Sequence, residues 1–470
     1  MNTNDNNKNS IECDFVKIAA SFRDPSGYLF IKKGILYRNI TQSYRKHYNY
    51  AKESGLYKSL IDDELLISHS EINDDFKTSS ETYKILRPER ISFISYPYEW
   101  CFSELKDAAL LTLEIQKRAI EANMILKDAS AFNIQFKNGK PIFIDTLSFE
   151  KYKEDSPWIG YRQFCQHFLA PLTLMKYKDL RLNQFLRIFI DGIPLDLTSS
   201  LLPLITMISP STLFHIHLHA KSQKKFSTRK KAISLKMPRR NLIALIDNLK
   251  SAVNNLRLKK QDTEWQNYYD NTNYSSDSFL KKKKIISEFL NIIKPKNVWD
   301  LGANTGVFSR IASDIGIETI SFDIDPLAVE NNYLEIKKRN DKNILPLILD
   351  LTNPSPGIGW GNEERTSLEK RGPTDTVLAL ALVHHLAISN NLPFKKIAEY
   401  FSKLCKNLII EFIPKTDSQV KHLLMTRKDI FTHYYEKKFE EEFKKYFSIK
   451  LKKDIIGSER KLYLMCKKEL

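Results

Sequence analysis

The chain has 470 residues, too many for one comfortable hydrophobic core, so two domains are expected. With 42% hydrophobic and 27% charged residues it is neither disordered nor fibrous, and its five scattered cysteines form no CxxC pair that would signal a disulfide framework or a cysteine zinc site. The formal charge of +17 favours anionic partners, although lysine is abundant throughout the chain and a plain solvated surface accounts for it equally well.

Met1–Ser10 is rich in asparagine, and residues 1–12 are expected to form a disordered tail rather than a signal segment. The cysteine usage suits a reducing, cytoplasmic setting. Residues 13–220 are expected to form an α+β domain. Gly27 and Gly34 flank a simple hairpin, Ile91–Tyr96 is extended, and Leu105–Ala122 is helical. Next comes Leu126-Lys-Asp128-Ala-Ser-Ala-Phe-Asn133-Ile, followed by the apolar strand Pro141-Ile-Phe-Ile-Asp145. An aspartate, an asparagine five residues on, and a second aspartate about a dozen later resemble the catalytic segment of kinase-like folds. The resemblance implies Asp128 as the base that orients an acceptor hydroxyl, and Asn133 and Asp145 as magnesium ligands for ATP. The departures are substantial. No His-Arg precedes Asp128, Thr-Leu rather than Phe-Gly follows Asp145, and neither a glycine-rich phosphate loop nor the strand lysine is recognisable.

Leu197–Ala220 contains no Lys, Arg, Asp or Glu. Pro203, Pro210, three histidines and many hydroxyls interrupt it, so it reads as a buried or interfacial segment rather than a membrane span. His215-Ile-His217-Leu-His219 alternates at strand spacing, which puts three imidazoles on one face of a solvated strand edge or, less favourably, around a metal. Between Lys221 and Lys260, thirteen Lys/Arg face a single acid, Asp247, while Leu242, Ile246, Leu249 and Val253 recur at helical spacing. Residues 221–262 therefore read as a basic connector holding one amphipathic helix.

From 263 to 470, strands and helices alternate as in a parallel sheet wound on both faces. Helix is expected at Ile285–Ile293, Phe308–Ile315, Pro326–Arg339, Asn362–Arg371 and Phe394–Leu404. Strands are expected at Asn297–Leu301, Thr319–Asp323, Ile344–Leu349, Thr376–Leu382 and Asn407–Phe412. A charged helix, Tyr435–Tyr446, then precedes Ser448–Lys452 and Lys461–Cys466, which a polar turn at Gly457 joins into an antiparallel edge hairpin.

Val298-Trp-Asp-Leu-Gly-Ala-Asn-Thr-Gly306 is a strand that runs into a glycine turn and then a helix. Ligands of open α/β sheets bind just beyond such strand ends. Gly302 and Gly306 remove side chains where a ligand must touch backbone. Asp300 can accept from a bound ammonium group, Asp323 from both hydroxyls of a ribose, and Asp350 from an adenine amino group. Asp325, before Pro326, reads as a helix cap. This order of acids and the Gly302-Ala-Asn304-Thr-Gly306 turn resemble class I S-adenosylmethionine-dependent methyltransferases. The resemblance implies a Rossmann-like sheet with a reversed terminal hairpin, preceded here by the α+β kinase-like domain. It also implies S-adenosylmethionine held by Asp300, Gly302, Asn304, Gly306, Asp323 and Asp350. The whole-chain arrangement resembles bacterial methyltransferases labelled nodulation-protein-like.

Methyl transfer is an in-line displacement in which positioning matters most and a base is optional. His384 and His385, read at the rim of the pocket, and Glu411, ending the fifth strand, are candidate bases. Each can equally be a hydrogen-bonded structural group. Trp265-Gln-Asn-Tyr-Tyr269 to Tyr274 can form a lid or belong to the core. The leading expectation is a methyltransferase of unidentified acceptor whose N-terminal domain helps choose the substrate. The alternatives are a basic RNA- or polyanion-binding protein with a degenerate pocket, and a phosphotransferase with an accessory methyltransferase fold.

Overall fold

A computed structural model describes residues 15–72, 79–222, 236–258, 276–425 and 428–469. The expected tail, part of the basic connector and the aromatic segment 265–274 lie outside the described residues.

The N-terminal half opens with a five-stranded antiparallel sheet of order β1-β2-β3-β5-β4: β1 (Val16–Lys17), β2 (Gly27–Lys32), β3 (Ile35–Thr41), β4 (His69–Ile72) and β5 (Thr82–Pro88). The hairpin expected between Gly27 and Gly34 is β2–β3, and helices Arg45–Glu53 and Leu56–Asp62 follow β3. Ile91–Tyr96 is not a strand. The Gln135 side chain takes the hydrogen bonds a neighbouring strand would make, accepting from Ser95 N at 2.9 Å and donating to Ser95 O at 2.9 Å. The helix Phe102–Glu121 starts where Glu104 accepts from Cys101 N at 2.8 Å, and it buries Leu105, Ala108, Ala109, Leu113, Ala119 and Ile120. Two small two-stranded antiparallel sheets come next, β6 (Met124–Leu126) with β9 (Phe149–Lys151) and, between them in sequence, the hairpin β7 (Ile134–Lys137) with β8 (Lys140–Phe143).

The histidine segment is helical. Pro210–Thr212 continues into a wide π-type turn, Leu213–Leu218, so the three imidazoles surround a helix instead of sharing a strand face. His215 bridges the Tyr161 hydroxyl (2.8 Å) and Asn248 Oδ1 (2.7 Å). His217 bridges Ser199 and Thr206 (2.7 and 2.9 Å), and His219 stacks on the Tyr161 ring. Among the described residues no group of three or more His, Cys, Asp or Glu is placed to hold a metal ion, and no helix is long and apolar enough to cross a membrane. The amphipathic helix of the connector is Arg239–Asn255. It buries Leu242, Ile246, Leu249 and Val253 and packs on Phe102–Glu121, with ion pairs Lys117–Asp247 and Lys250–Glu114 at the edges.

The C-terminal half is a seven-stranded sheet of order β12-β11-β10-β13-β14-β16-β15. Its strands are β10 (Asn297–Leu301), β11 (Glu318–Asp323), β12 (Ile344–Ile348), β13 (Thr374–Ala379), β14 (Cys405–Phe412), β15 (Phe447–Asp454) and β16 (Lys461–Lys467). The first five run parallel. β16 is antiparallel to both β14 and β15, which is the reversed edge hairpin the sequence implies. Alternation along the strands sorts side chains to two cores. Val298, Leu378, Ile409 and Leu464 meet Ile286, Phe289 and Leu290 of the helix Ser276–Ile293, whereas Trp299, Val377, Leu408 and Tyr463 join the core continuous with the N-terminal half. The helix expected over 362–371 is only a short turn, Trp360–Asn362, and a single helical turn, Leu368–Arg371. Glu364 is buried there, where it accepts from Trp360 N and binds Arg23 of the N-terminal half, and this tertiary demand overrides local helix preference.

The two halves meet through charged groups as well as apolar ones. Phe93 packs edge-on against Trp299 and Phe322. Ser103 donates twice to Glu330, and Tyr333 and Lys337 both donate to Asp107. The central contact is Glu99 with Arg371, a bidentate pair (2.5 and 2.9 Å) with both side chains almost wholly buried. Truncating one member of such a pair strands a desolvated charge. Arg371→Ala is therefore expected to lower unfolding stability by about 3–5 kcal/mol, read by urea denaturation, whereas exposed Arg339→Ala should change it by less than about 1 kcal/mol.

Candidate active site

Beyond the carboxyl ends of β10, β11, β12 and β13 lies a cavity of about 400 Å³. This is within the usual range for small-molecule sites, which is roughly 300–1,000 Å³. Asp300, Gly302, Asn304, Asp323 and Asp350 line it, as the sequence leads one to expect. Gly302 (φ +78°) turns the chain from β10, and its N–H donates to Phe322 O at 2.9 Å. A Cβ there would point at Leu382 across the cavity. Gly306 does not line the cavity. It sits at φ +77°, and a Cβ would run into the Asn332 side chain at 2.5 Å, so its absence serves helix packing and not ligand approach.

The three carboxylates are held differently. Asp300, 1% exposed, accepts from Ser309 Oγ at 2.6 Å. Asp323 accepts from Asn304 N at 2.7 Å and Asp325 N at 2.9 Å, and so braces the glycine turn. Asp350 accepts from Thr352 N and Oγ1 at the other end. Burial pushes Asp300 up to about 7, Ser309 and Lys282 opposing it, and pushes Asp323 up to about 6 against the two N–H donors. Both groups lie where a cationic or hydrogen-donating ligand would relieve that cost. Asp325 caps the helix Pro326–Arg339 by accepting from Leu327 N, the role its sequence context implies.

The candidate bases separate. β13 ends at Ala379, short of the expected Leu382, and the chain turns through Ala381 (φ +48°) into a wide helical turn, His385–Ser389. His385 lines the cavity with Ser389 and Asn390, and burial holds its imidazole down to about 4, so it is neutral near pH 7. His384 is not at the rim. It is 1% exposed behind His385, its ring 4.1 Å from that of His385, and burial first, then His385, Arg460 and Lys282, keep it uncharged. Glu411 is wholly buried and is not part of the lining. It accepts from Lys282 Nζ at 2.6 Å and Ala381 N at 2.8 Å, which commits it to structure.

Lys282 is a charged lining residue that the sequence reading missed. It stands within the run Lys281–Lys284, yet at the spacing of Phe279, Ile286 and Phe289, a lysine in a position on the apolar face. Burial lowers its pKa while Glu411 opposes the shift, and its ammonium group lies 4.5 Å from the Phe308 ring centroid.

In the N-terminal half, Asp128, Asn133 and Asp145 do converge. Asp128 accepts from Ser130 N at 3.0 Å, and Asn133 donates to Ser148 Oγ at 3.4 Å. Ser148 in turn donates to Asp145. The carboxylate expected to hold magnesium is, however, ion-paired with Arg38 of β3, which also approaches Asp24 at 3.7 Å. Arg38 stands on β3, more than a hundred residues before Asp145 in sequence, so no local spacing announces it.

No protein-family model matches the chain. The nodulation protein NoeA of Rhizobium meliloti (strain 1021) is 34% identical to it over 456 residues, which cover 95% of each chain. Among solved structures, the PH0226 protein from Pyrococcus horikoshii OT3 matches 44% of this chain and 100% of its own (16% identity, TM-score 0.32). The magnesium protoporphyrin IX methyltransferase ChlM from Synechocystis PCC 6803, with bound SAH, matches 43% of this chain and 93% of its own (16% identity, TM-score 0.31).

Because folding raises the pKa of Asp300 and Asp323, protonation favours the folded state. Their stabilising contribution is complete below pH about 4 and is lost as pH rises through 6 and 7. Asp300→Asn is expected to leave stability near that of the wild type at pH 4 and to raise it at pH 8 by on the order of 2–4 kcal/mol, read by chemical denaturation at both pH values.

Proposed function

We propose that this chain, which belongs to the family of the nodulation protein NoeA, is an S-adenosylmethionine-dependent methyltransferase. The observation that carries the reading is the succession of carboxylates around one cavity: Asp300 near the end of β10, Asp323 at the end of β11 and Asp350 after β12. The parallel sheet with its reversed hairpin, and the cavity's position beyond the carboxyl strand ends, support it further.

The donor set fits the group. Asp300, raised by burial, would take the amino-acid ammonium, Asp323 the ribose hydroxyls, and Asp350 with Leu349 and Leu351 the adenine. When bound, the cofactor supplies an electrophilic methyl group on a sulfonium. The chain's own residues do the rest by position. Leu380, Ala381 and Leu382 wall the cavity beside Asp300, and the apolar side chains Phe279, Phe308 and Leu386 keep water from the reacting centre. His385, neutral near pH 7, would accept a hydrogen bond from the acceptor and orient it, with Ser389 and Asn390 beside it. As a proton acceptor it is weak, so it suits an acceptor that needs orientation more than deprotonation.

For the N-terminal half we read a kinase-like scaffold that helps select the acceptor. The strand order β1-β2-β3-β5-β4 and the meeting of Asp128, Asn133 and Asp145 support that ancestry. The Arg38–Asp145 ion pair speaks against magnesium-dependent phosphotransfer, because a guanidinium already neutralises the carboxylate that would hold the metal.

Calorimetric titration tests the reading. Wild-type protein is expected to bind S-adenosylmethionine at micromolar affinity, with Asp323→Ala weakening it about 100-fold or more through lost charge-assisted hydrogen bonds. Affinity should rise between pH 5.5 and pH 8 as Asp300 and Asp323 ionise. A folded wild-type protein that shows no binding at pH 8 would overturn the assignment.

A further inference from the structure

In the segment between Pro203 and Ala220 several polar side chains point inward and most of the large apolar ones outward, Ile216 excepted. Thr206, Thr212, His215 and His217 are buried, and the Thr206–His217 and Ser199–His217 hydrogen bonds lock the short helix Leu204–Met207 against the turn Leu213–Leu218. On the outer side, Leu204, Ile205, Ile208 and Phe214 are 78, 66, 80 and 60% exposed, with Met207 and Leu218 also exposed. Single exposed apolar residues are ordinary, but six within fifteen positions are a concentrated apolar surface. No charged residue lies between Leu197 and Ala220 to oppose its transfer out of water. The element is too short and too polar inside to span a bilayer, and its outward apolar side chains suit an interface.

The charges that follow it in sequence identify the occupant. In sequence the apolar stretch is followed directly by Lys221–Arg240, which holds nine Lys/Arg and no acid, and the described members Lys221, Lys236 and Arg240 are exposed. A second copy of the chain would bring an equal basic run and a like charge of +17 to the same place, which disfavours self-association. Nucleic acid would satisfy the lysines and leave the aliphatic side chains in water. An anionic lipid surface satisfies both, by taking Leu204, Ile205, Ile208 and Phe214 into the headgroup–acyl boundary and pairing Lys221, Lys236 and Arg240 with lipid phosphates. We propose that this face docks the protein on anionic membranes. The inference is independent of the methyl-transfer reading, since none of these residues lines the cavity.

Vesicle sedimentation with the full chain tests it. Vesicles containing phosphatidylglycerol are expected to bind the protein at least about tenfold more tightly than pure phosphatidylcholine vesicles, with binding weakened by salt. Leu204→Ser/Ile205→Ser/Ile208→Ser touches only exposed side chains and should keep the wild-type melting temperature while reducing binding about tenfold or more. Lys221→Ser/Lys236→Ser/Arg240→Ser should weaken binding to anionic vesicles alone. Three results would each overturn the proposal: no binding by wild type, binding unchanged in the apolar variant, or a wild-type dimer that the apolar variant dissolves.

Discussion

The Glu99–Arg371 pair fixes how the rest of the molecule is arranged. Its members lie on opposite sides of the junction between the halves, and both are removed from water, so the pair is tolerable only if partners are in place. Most of the partners are present, Arg371 Nε alone of its guanidinium nitrogens lacking a hydrogen bond. Arg371 also donates to Ile94 O at 2.7 Å, and its guanidinium lies 4.9 Å from the rings of both Phe93 and Tyr96. Glu99 accepts in addition from Ser355 Oγ at 2.6 Å. These contacts pin both ends of the segment between β12 and β13, which begins at the cavity wall with Leu349–Thr352. The N-terminal half thereby fixes one side of the cavity without lining it.

A second buried pair, Lys282–Glu411, works from the opposite side. It joins the helix Ser276–Ile293 to β14 and, through Ala381 N, to the turn after β13. Ala381 occupies a left-handed conformation that few non-glycine residues hold without support. The Glu411 carboxylate supplies that support, and so sets where Leu382 and His385 enter the cavity. The residue that sequence spacing offers as a base is thus the one that holds the acceptor-facing turn in shape.

Much of this architecture was legible because it is periodic or punctuated. The five parallel strands, the reversed hairpin, the capping role of Asp325 and the helix at Phe102–Glu121 all follow from local apolar alternation, helical spacing or Asp-Pro. So did the place of five of the six residues expected at the cavity, since strand ends and the turns after them meet at a common edge. What was not legible depends on partners distant in sequence. The turn around Glu364 gives up helix to reach Arg23. Gly306 is set by Asn332, and Lys282 by Glu411. The histidine triplet misled for a related reason. An i, i+2 spacing with polar side chains suits a strand edge, yet here the imidazoles surround a helical turn, with His215 and His217 buried.

The two carboxylate clusters show how residues of one kind come to differ in chemical capacity. Asp145 is met by the Arg38 guanidinium and by Ser148, so its charge is satisfied within the protein and metal or phosphate recruitment would first have to break that pair. Asp300 and Asp323 are met by a hydroxyl and by backbone N–H groups, donors that hold orientation while neutralising little charge. Their raised affinity for a proton expresses that deficit, and a cationic or hydroxyl-bearing ligand answers it as well as a proton does. The cluster whose charge balance still calls for a ligand is the one in the cavity of the C-terminal sheet, and the N-terminal cluster, although its residues meet the kinase-like spacing, is closed from within.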